Sequence, residues 1–326
     1  RRSHVTRGEV SLGERDGLIR SHLGTIRVLQ YQAQLGFRLL MIRSQPAEGL
    51  QCLAQRLIGT KTVFQPDRFA GHDILGAGHP RLQFESMSYS KLQPAHYETD
   101  ADYYERKPEA DQPARIWARG QLEAARRTLE GIRSERFMAS PMWPELAFFD
   151  CQACHAAMSV DRPAERHTSP KLTPGSPRLN DSALVMARVL DSVLAGGEPD
   201  RLLRQIRALH RASRQTPEAV ARQAAQLDQQ LEGLEQRLQK SNLDGPAQRA
   251  LLKGLAAAGA EGRFSGYLTA EQAAMAAQVL LKHGRTGFDG DPDRVLDPVF
   301  GALDNPDRMD RGAFRRAMQQ LRDALR

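Results

Sequence analysis

Apolar residues repeat at regular steps between positions 216 and 240, and this repeat is the feature that most constrains the fold. The steps alternate between four and three residues, at Val220, Ala224, Leu227, Leu231, Leu234 and Leu238. Such spacing aligns side chains along one side of an α-helix, as in an antiparallel bundle or a short coiled coil. Thr216 can cap this helix and Pro217 suits its first position. We therefore expect a long packed helix here.

The composition favours an all-α fold packed through leucine and alanine. Aromatic residues make up 6% of the 326 residues, and none occurs between Phe149 and Phe264. The apolar fraction of 40% and the charged fraction of 26% are typical of a globular protein. The chain exceeds the usual size of one domain, and its composition shifts to Gln, Ala, Leu and Arg near residue 198. We predict one domain over residues 1–197 and a C-terminal helical bundle over residues 198–326.

The charge pattern bears on the choice of partners. The chain has 46 Lys and Arg residues against 39 Asp and Glu residues, a formal net charge of +7. The basic residues are scattered along helical segments, as on solvated helix faces, so we expect no nucleic-acid partner. A basic surface also suits an acidic protein partner or the negatively charged face of a membrane. No run of 18 or more apolar residues occurs, so we expect no transmembrane segment.

The rest of the chain alternates between helical and irregular stretches. Apolar periodicity predicts helices within residues 8–57, over 113–132, after a cap at Asn180 or Asp181, and near the C-terminus. Residues 60–112 are different, because they are rich in Gly, Pro, His, Tyr and Asp and show no sustained period. A long segment of that kind within a compact domain usually wraps a ligand or a cofactor.

The acidic stretch FDGDPDRVLDPVF, at residues 288–300, resembles a calcium-binding loop at first sight. Counting from Asp289, the position that requires Gly holds Arg294, and the position that requires Glu holds Phe300. The pattern therefore fails at its two most informative places. We interpret the stretch as turns that flank helices.

Two of the three cysteines stand three positions apart, and a histidine follows the second. Cys151, Cys154 and His155 form the Cys-x-x-Cys-His spacing of covalent haem attachment. The two thiols can add to the two vinyl groups on one edge of the porphyrin, and the next side chain is directed onto the iron. We therefore expect haem c bound through Cys151 and Cys154, with His155 as the proximal iron ligand.

Two other uses of the paired cysteines are disfavoured. A thioredoxin-like redox pair requires a βαβ setting, which the sequence does not indicate. A structural zinc site requires a second ligand pair at suitable spacing, and the other cysteine, Cys52, lies about a hundred residues away. We interpret Cys52 as a small buried apolar residue.

The sixth iron ligand decides between electron transfer and small-molecule binding. Met158 lies too close to His155 in sequence to reach the opposite haem face easily. His79 and His72 are better candidates, because both lie in a Gly-rich loop that permits close approach to a flat cofactor. Pro80 also holds His79 extended, and His96 is a third candidate. The other histidines are expected to be solvated: His4, His22, His167, His210 and His283.

Five stretches, in the same order, resemble one known family. They are RFAGHDILGAGHPRLQFE, LQPAHYETDADYYERK, RIWARGQLEAARR, PELAFFDCQACHAAMS and PRLNDSALVM, within residues 60–190. Together they resemble the multihaem cytochrome c family of periplasmic electron carriers, related to the cytochrome c-554 type. This resemblance implies an all-α fold, covalent haem c, histidine axial ligation and electron transfer between redox partners.

Carried over by residue, the resemblance implies that Cys151 and Cys154 hold the porphyrin and that His155 is proximal. His72 and His79 correspond to the family's His-rich loop, and either can ligate this haem or a neighbouring one. Family members generally carry several such motifs, whereas this chain has one. Two explanations stay open: a haem-bearing part lies upstream, or the protein is a reduced relative that works beside other haem subunits.

These observations favour one function over two others. We expect an electron-carrying cytochrome with bis-histidine ligation, which is not an enzyme, and with redox proteins as partners. The first alternative is a haem-dependent oxidoreductase or small-molecule sensor with an open distal site. The second is a subunit whose helical tail docks a partner complex. Since haem c is assembled outside the bacterial cytoplasmic membrane, we expect the protein to lie in the periplasm or at the periphery of the membrane.

Overall fold

A computed structural model provides the structure of the chain. It describes residues 77, 84–92, 98, 100–138, 146–155, 166–169 and 177–326. All of them belong to the compact unit Gln51–Arg326. The predicted helix within residues 8–57 lies outside the described residues.

The described residues form an all-α fold, which confirms the predicted fold class, and they contain no β-strand. Short 3-10 turns occur at Pro108–Asp111, Leu146–Phe148 and Pro306–Arg308. The α-helices are α1 (Ser86–Leu92), α2 (Ala101–Arg106), α3 (Pro113–Ile132), α4 (Glu135–Met138), α5 (Cys151–His155), α6 (Ser182–Asp191), α7 (Pro199–Ala212), α8 (Pro217–Lys240), α9 (Gly245–Ala260), α10 (Tyr267–Lys282), α11 (Pro292–Gly301) and α12 (Arg311–Ala324).

Helix α8 forms where the apolar repeat predicts it. The Thr216 hydroxyl accepts a hydrogen bond from the Ala219 backbone N–H at 3.2 Å, and Pro217 takes the first helical position. All six apolar residues of the repeat are buried. The amphipathic stripe of α8 therefore supplies one wall of the core.

Helix α3 joins the two halves of the sequence within one apolar core. Its buried stripe, which includes Trp117, Leu122 and Leu129, contacts both α6 and α8. The core cluster contains residues from both sides of position 197, and α9, α10 and α12 extend it. The division into domains over residues 1–197 and 198–326 stays a prediction.

Two expectations about irregular segments were wrong. Residues 60–112 were expected to lack regular structure, yet α1 and α2 form there, and Asp100 caps α2 by accepting from the Tyr103 N–H at 2.8 Å. Residues 292–300 were interpreted as turns, but they belong to α11. Asp291 caps α11, and a proline occupies its first position. Local capping therefore starts short helices in both segments.

Among the residues that the structure describes, no helix is both long enough and apolar enough to cross a bilayer.

The account of α8 predicts a large stability cost for Leu231→Ala. Leu231 is fully buried, so truncating it removes packing and leaves a cavity, at a cost of about 3 kcal/mol in the free energy of unfolding. Glu232→Ala, at the exposed neighbouring position, is the control and should change that free energy by less than about 0.5 kcal/mol. Urea unfolding of both variants measures the difference, and equal costs would contradict the assigned helix face.

Candidate functional site

The Cys-x-x-Cys-His motif occupies the short helix α5, Cys151–His155. Positions 151, 154 and 155 stand at i, i+3 and i+4, and such positions share one side of a helix. The Cys151 side chain is partly buried, and its thiol donates to the Phe149 carbonyl at a Sγ to O distance of 3.8 Å. For Cys154 and His155 the structure describes the backbone alone.

Two buried phenylalanines fix the chain just before the motif. Phe148 is 1% exposed and packs edge to face against Phe137, with ring centroids 5.1 Å apart. Phe149 is also buried and forms an isolated antiparallel bridge with Leu179. On either side of this bridge, the Asp150 N–H donates to the Arg178 carbonyl at 2.7 Å, and the Asn180 N–H donates to the Phe148 carbonyl at 2.9 Å.

Asp150 connects this bridge to the motif helix. Its side chain is 3% exposed, and Oδ1 accepts from the Ala153 N–H at 3.3 Å, within the first turn of α5. Oδ2 accepts from Nη1 of Arg166 at 2.5 Å, and the Arg166 side chain is itself only 12% exposed. A buried carboxylate is stable when it is both paired and hydrogen-bonded, as Asp150 is.

Further polar side chains surround this ion pair. The Arg178 guanidinium donates to the Ser169 carbonyl at 3.0 Å and to its hydroxyl. Asp181 Oδ2 lies 2.9 Å from Nε2 of the buried His210 on α7, and Asp181 also hydrogen-bonds Thr168. We call this set the polar cluster: Asp150, Arg166, Thr168, Ser169, Arg178, Asp181 and His210.

The pKa of Asp181 lies below its usual value although the residue is buried. Burial alone would raise this pKa, because it penalises the charged carboxylate. The hydrogen bond and charge of His210, the hydrogen bond of Thr168 and the charge of Arg166 together outweigh that penalty. Asp181 is therefore an ionised and paired member of the polar cluster.

His210 and Asp181 differ from the expectations drawn from the sequence. His210 was expected to be solvated, which is wrong, because it is 2% exposed. It follows Leu203 by seven positions and Ile206 by four, so it shares their buried face, and this spacing could have revealed its position. Asp181 makes no cap bond for α6, while Asn180 accepts from the Ser182 N–H at 3.3 Å.

His167 is only partly solvated. Its Nε2 atom is buried and has no hydrogen-bond partner, and the Nε of Arg207 donates to its backbone carbonyl at 3.0 Å. Burial lowers the pKa of His167, and the charges of Arg188, Arg207 and Arg263 lower it further. The imidazole is therefore biased toward its neutral form.

The remaining predicted iron ligands are not placed. His72, His79 and His96 lie outside the described residues, as does Met158, so their assignment stays a prediction. In the parts of the chain with described coordinates, no group of three or more His, Cys, Asp or Glu residues is arranged to hold a metal ion.

The donor set of α5 nevertheless fits haem c. The two cysteine positions and the histidine position fall within one short helix, as double thioether attachment and iron ligation require. Cys151 is partly exposed, so a group outside the core can reach its sulfur. Helix α5 also contacts the turn Pro306–Arg308, so the segment between α11 and α12 borders the site.

A cleft of about 330 Å³ lies elsewhere, between the turn Pro108–Asp111 and the α8–α9 connection. None of its lining residues belongs to α5 or to the polar cluster. The Gln248 side chain in it is already bonded, to the Leu243 carbonyl at 2.8 Å and the Arg285 N–H at 2.6 Å. Because this cleft is separate from the motif, we take α5 and its surroundings as the candidate site.

Comparisons with protein-family models, curated proteins and solved structures found no match to this chain. The resemblance to multihaem cytochromes c thus rests on the motifs in the sequence, and it stays a prediction.

The lowered pKa of Asp181 predicts how pH acts on Asp181→Asn. The ionised form of Asp181 is favoured in the folded protein, so the carboxylate stabilises the fold fully above its unfolded pKa of about 3.9. This stabilisation is lost as pH falls through the lower pKa of the folded state. We expect the variant to lose about 3 kcal/mol in the free energy of unfolding at pH 7. The difference from wild type should shrink below pH of about 4.

Urea unfolding between pH 3 and pH 7 measures this difference. The matched control is Asp304→Asn, at an exposed position, which should follow wild type throughout. A gap between wild type and Asp181→Asn that stays constant down to pH 3 would contradict the pairing of Asp181.

Proposed function

We propose that the chain is a c-type cytochrome, which carries one covalently bound haem and transfers electrons between redox partner proteins. The observation that carries this proposal is the complete Cys-x-x-Cys-His set in one short helix, α5, whose first turn is held by the buried Asp150. A motif that occurs by chance has no need of a buried ion pair at the residue just before it. A haem-attachment helix does need a fixed start, because both sulfurs must meet one porphyrin edge.

In this proposal each residue of the motif has a separate role. Cys151 and Cys154 hold the porphyrin through thioether bonds, and the His155 imidazole ligates the iron. When bound, haem c supplies a one-electron iron(III)/iron(II) couple. The buried Phe148 and Phe149 exclude water on the core side of the motif, which lowers the local dielectric constant.

An electron carrier requires no substrate pocket, and the described residues around α5 are consistent with that. The polar cluster contains one acid and base combination, the Asp181–His210 pair. Both side chains are under 10% exposed, so they are closed to a substrate in solvent. We propose that His79, His72 or His96 supplies the sixth ligand, which gives a bis-histidine iron without an open position.

The proposed partners and location follow from the chemistry. A chain with one haem passes electrons to and from other proteins, so we propose redox partners that include other haem subunits. The formal charge of +7 suits acidic partner surfaces. Because haem c is assembled outside the bacterial cytoplasmic membrane, we propose a periplasmic location.

The proposal predicts one haem per chain in protein made by a host that matures cytochromes c. Intact mass under denaturing conditions should equal the polypeptide plus one haem, and a denaturing gel should stain for haem peroxidase activity. Cys151→Ser and Cys154→Ser should each weaken the covalent link, and the double variant should lose it. Cys52→Ser is the matched control and should keep the haem. A bare polypeptide in the wild type would contradict the proposal.

The axial ligands give a second prediction. Two histidine ligands produce a low-spin iron that does not react promptly with carbon monoxide, so the visible spectrum of the reduced protein should be unchanged on its addition. Of the variants His79→Ala and His72→Ala, the one that removes the sixth ligand should convert the iron to a form that binds carbon monoxide at once. Prompt binding by the wild type would instead support the haem enzyme or sensor with an open distal site.

A further inference from the structure

The Asp150–Arg166 ion pair lies directly beside the motif helix. Asp150 directly precedes Cys151, and consecutive Cα atoms are about 3.8 Å apart. The Asp150 carboxylate is 3% exposed and the Arg166 side chain 12% exposed. Charges in such a site are screened little by solvent, so each acts on neighbours within about 10 Å.

The orientation of Arg166 is fixed by several neighbours. Its guanidinium lies against Gly266, where an added Cβ would stand 2.6 Å from Nη1, so the glycine makes room for the side chain. Thr168, two residues later, is tied through Asp181 to His210 on α7. The Arg166 backbone carbonyl accepts from the Ser169 N–H at 3.1 Å. Arg166 is therefore preorganised before any haem is attached.

Stability alone does not explain a charge pair at this place. A buried ion pair contributes little net stability compared with apolar residues of the same size, because desolvation offsets the attraction. The same fold contains a second pair, Asp191 with Arg237, in which Asp191 is 4% exposed and also accepts the Glu198 N–H at 2.9 Å, while the Arg237 side chain is 32% exposed. That pair lies outside α5 and the polar cluster. It therefore serves as the control, an ion pair that supports the fold away from the proposed haem site.

We propose that Asp150 and Arg166 are positioning residues of the haem site, which fix the first turn of α5 and set the midpoint potential of the iron. This inference rests on the proposed function. As a pair, the two charges cancel. Without the Asp150 charge, the remaining guanidinium favours the reduced iron, which carries one positive charge less, and the midpoint potential rises. Without Arg166, the remaining carboxylate favours the oxidised iron, and the potential falls.

Opposite shifts distinguish this role from simple support of the fold. Loss of packing lets water reach the haem whichever partner is removed, so both variants would then shift the potential in the same direction. Loss of one charge of a pair gives shifts of opposite sign. Removal of both charges restores the cancellation and returns the potential toward the wild-type value.

The test uses the full chain with its haem, at pH 8, and five variants. They are Asp150→Asn, Arg166→Gln, the double variant of these two, and the controls Asp191→Asn and Arg237→Gln. Spectroelectrochemical titration gives the midpoint potential, the absorbance ratio of haem to polypeptide gives the haem content, and urea unfolding gives stability. The expected result is a raised potential for Asp150→Asn, a lowered one for Arg166→Gln, and an unshifted one for both controls. Asp191→Asn, whose carboxylate is buried like that of Asp150, should lose about as much stability as Asp150→Asn.

Each other outcome has a defined meaning. Shifts of the same sign in Asp150→Asn and Arg166→Gln, or shifts no larger than those of the controls, would overturn the inference while the proposed function stands. A wild type without haem would overturn the proposed function itself. Should Asp150→Asn fail to fold, Arg166→Lys replaces it, because it keeps the charge and loses the paired geometry. It should hold the wild-type potential where Arg166→Gln lowers it, and equal potentials would overturn the inference.

Discussion

Burial of one apolar stripe from each long helix is the constraint on which the rest of the structure depends. Helix α8 shows this most clearly, because its six repeated apolar residues are buried and its cap at Thr216 is formed. Helix α3 carries the same stripe into the part that bears the motif, since it contacts both α6 and α8. The short helix α5 could not be stable alone. It is held because Phe148 and Phe149 insert into this shared core.

The polar cluster is the exception to that apolar packing, and it lies beside the motif helix α5. Charged groups are costly to bury, and here each one has a partner: Asp150 with Arg166, Asp181 with His210, and Arg178 with Ser169. The cluster connects α7, in the predicted C-terminal bundle, to the residue that starts the motif helix.

Sequence reasoning predicted what depends on local periodicity and missed what depends on tertiary pairing. Helices α3 and α8 could be predicted because propensity, capping and apolar spacing agree in each. The Asp150–Arg166 pair could not, because an ion pair between residues sixteen positions apart leaves no periodic signal. His210 was missed because it was judged by its polarity, although its spacing from Leu203 and Ile206 places it on the buried face of α7. Its partner, Asp181, could not be identified from the sequence. The Cys-x-x-Cys-His motif was found because it is a short pattern of fixed spacing.

We propose above all that Cys151, Cys154 and His155 form the attachment site of one haem c. The most direct measurement is peptide mass spectrometry after proteolysis of natively matured protein, directed at the fragment that contains residues 146–155. The account predicts that this fragment carries one haem joined through both sulfurs. Recovery of the fragment with two unmodified cysteines, or with a disulfide between them, would contradict it.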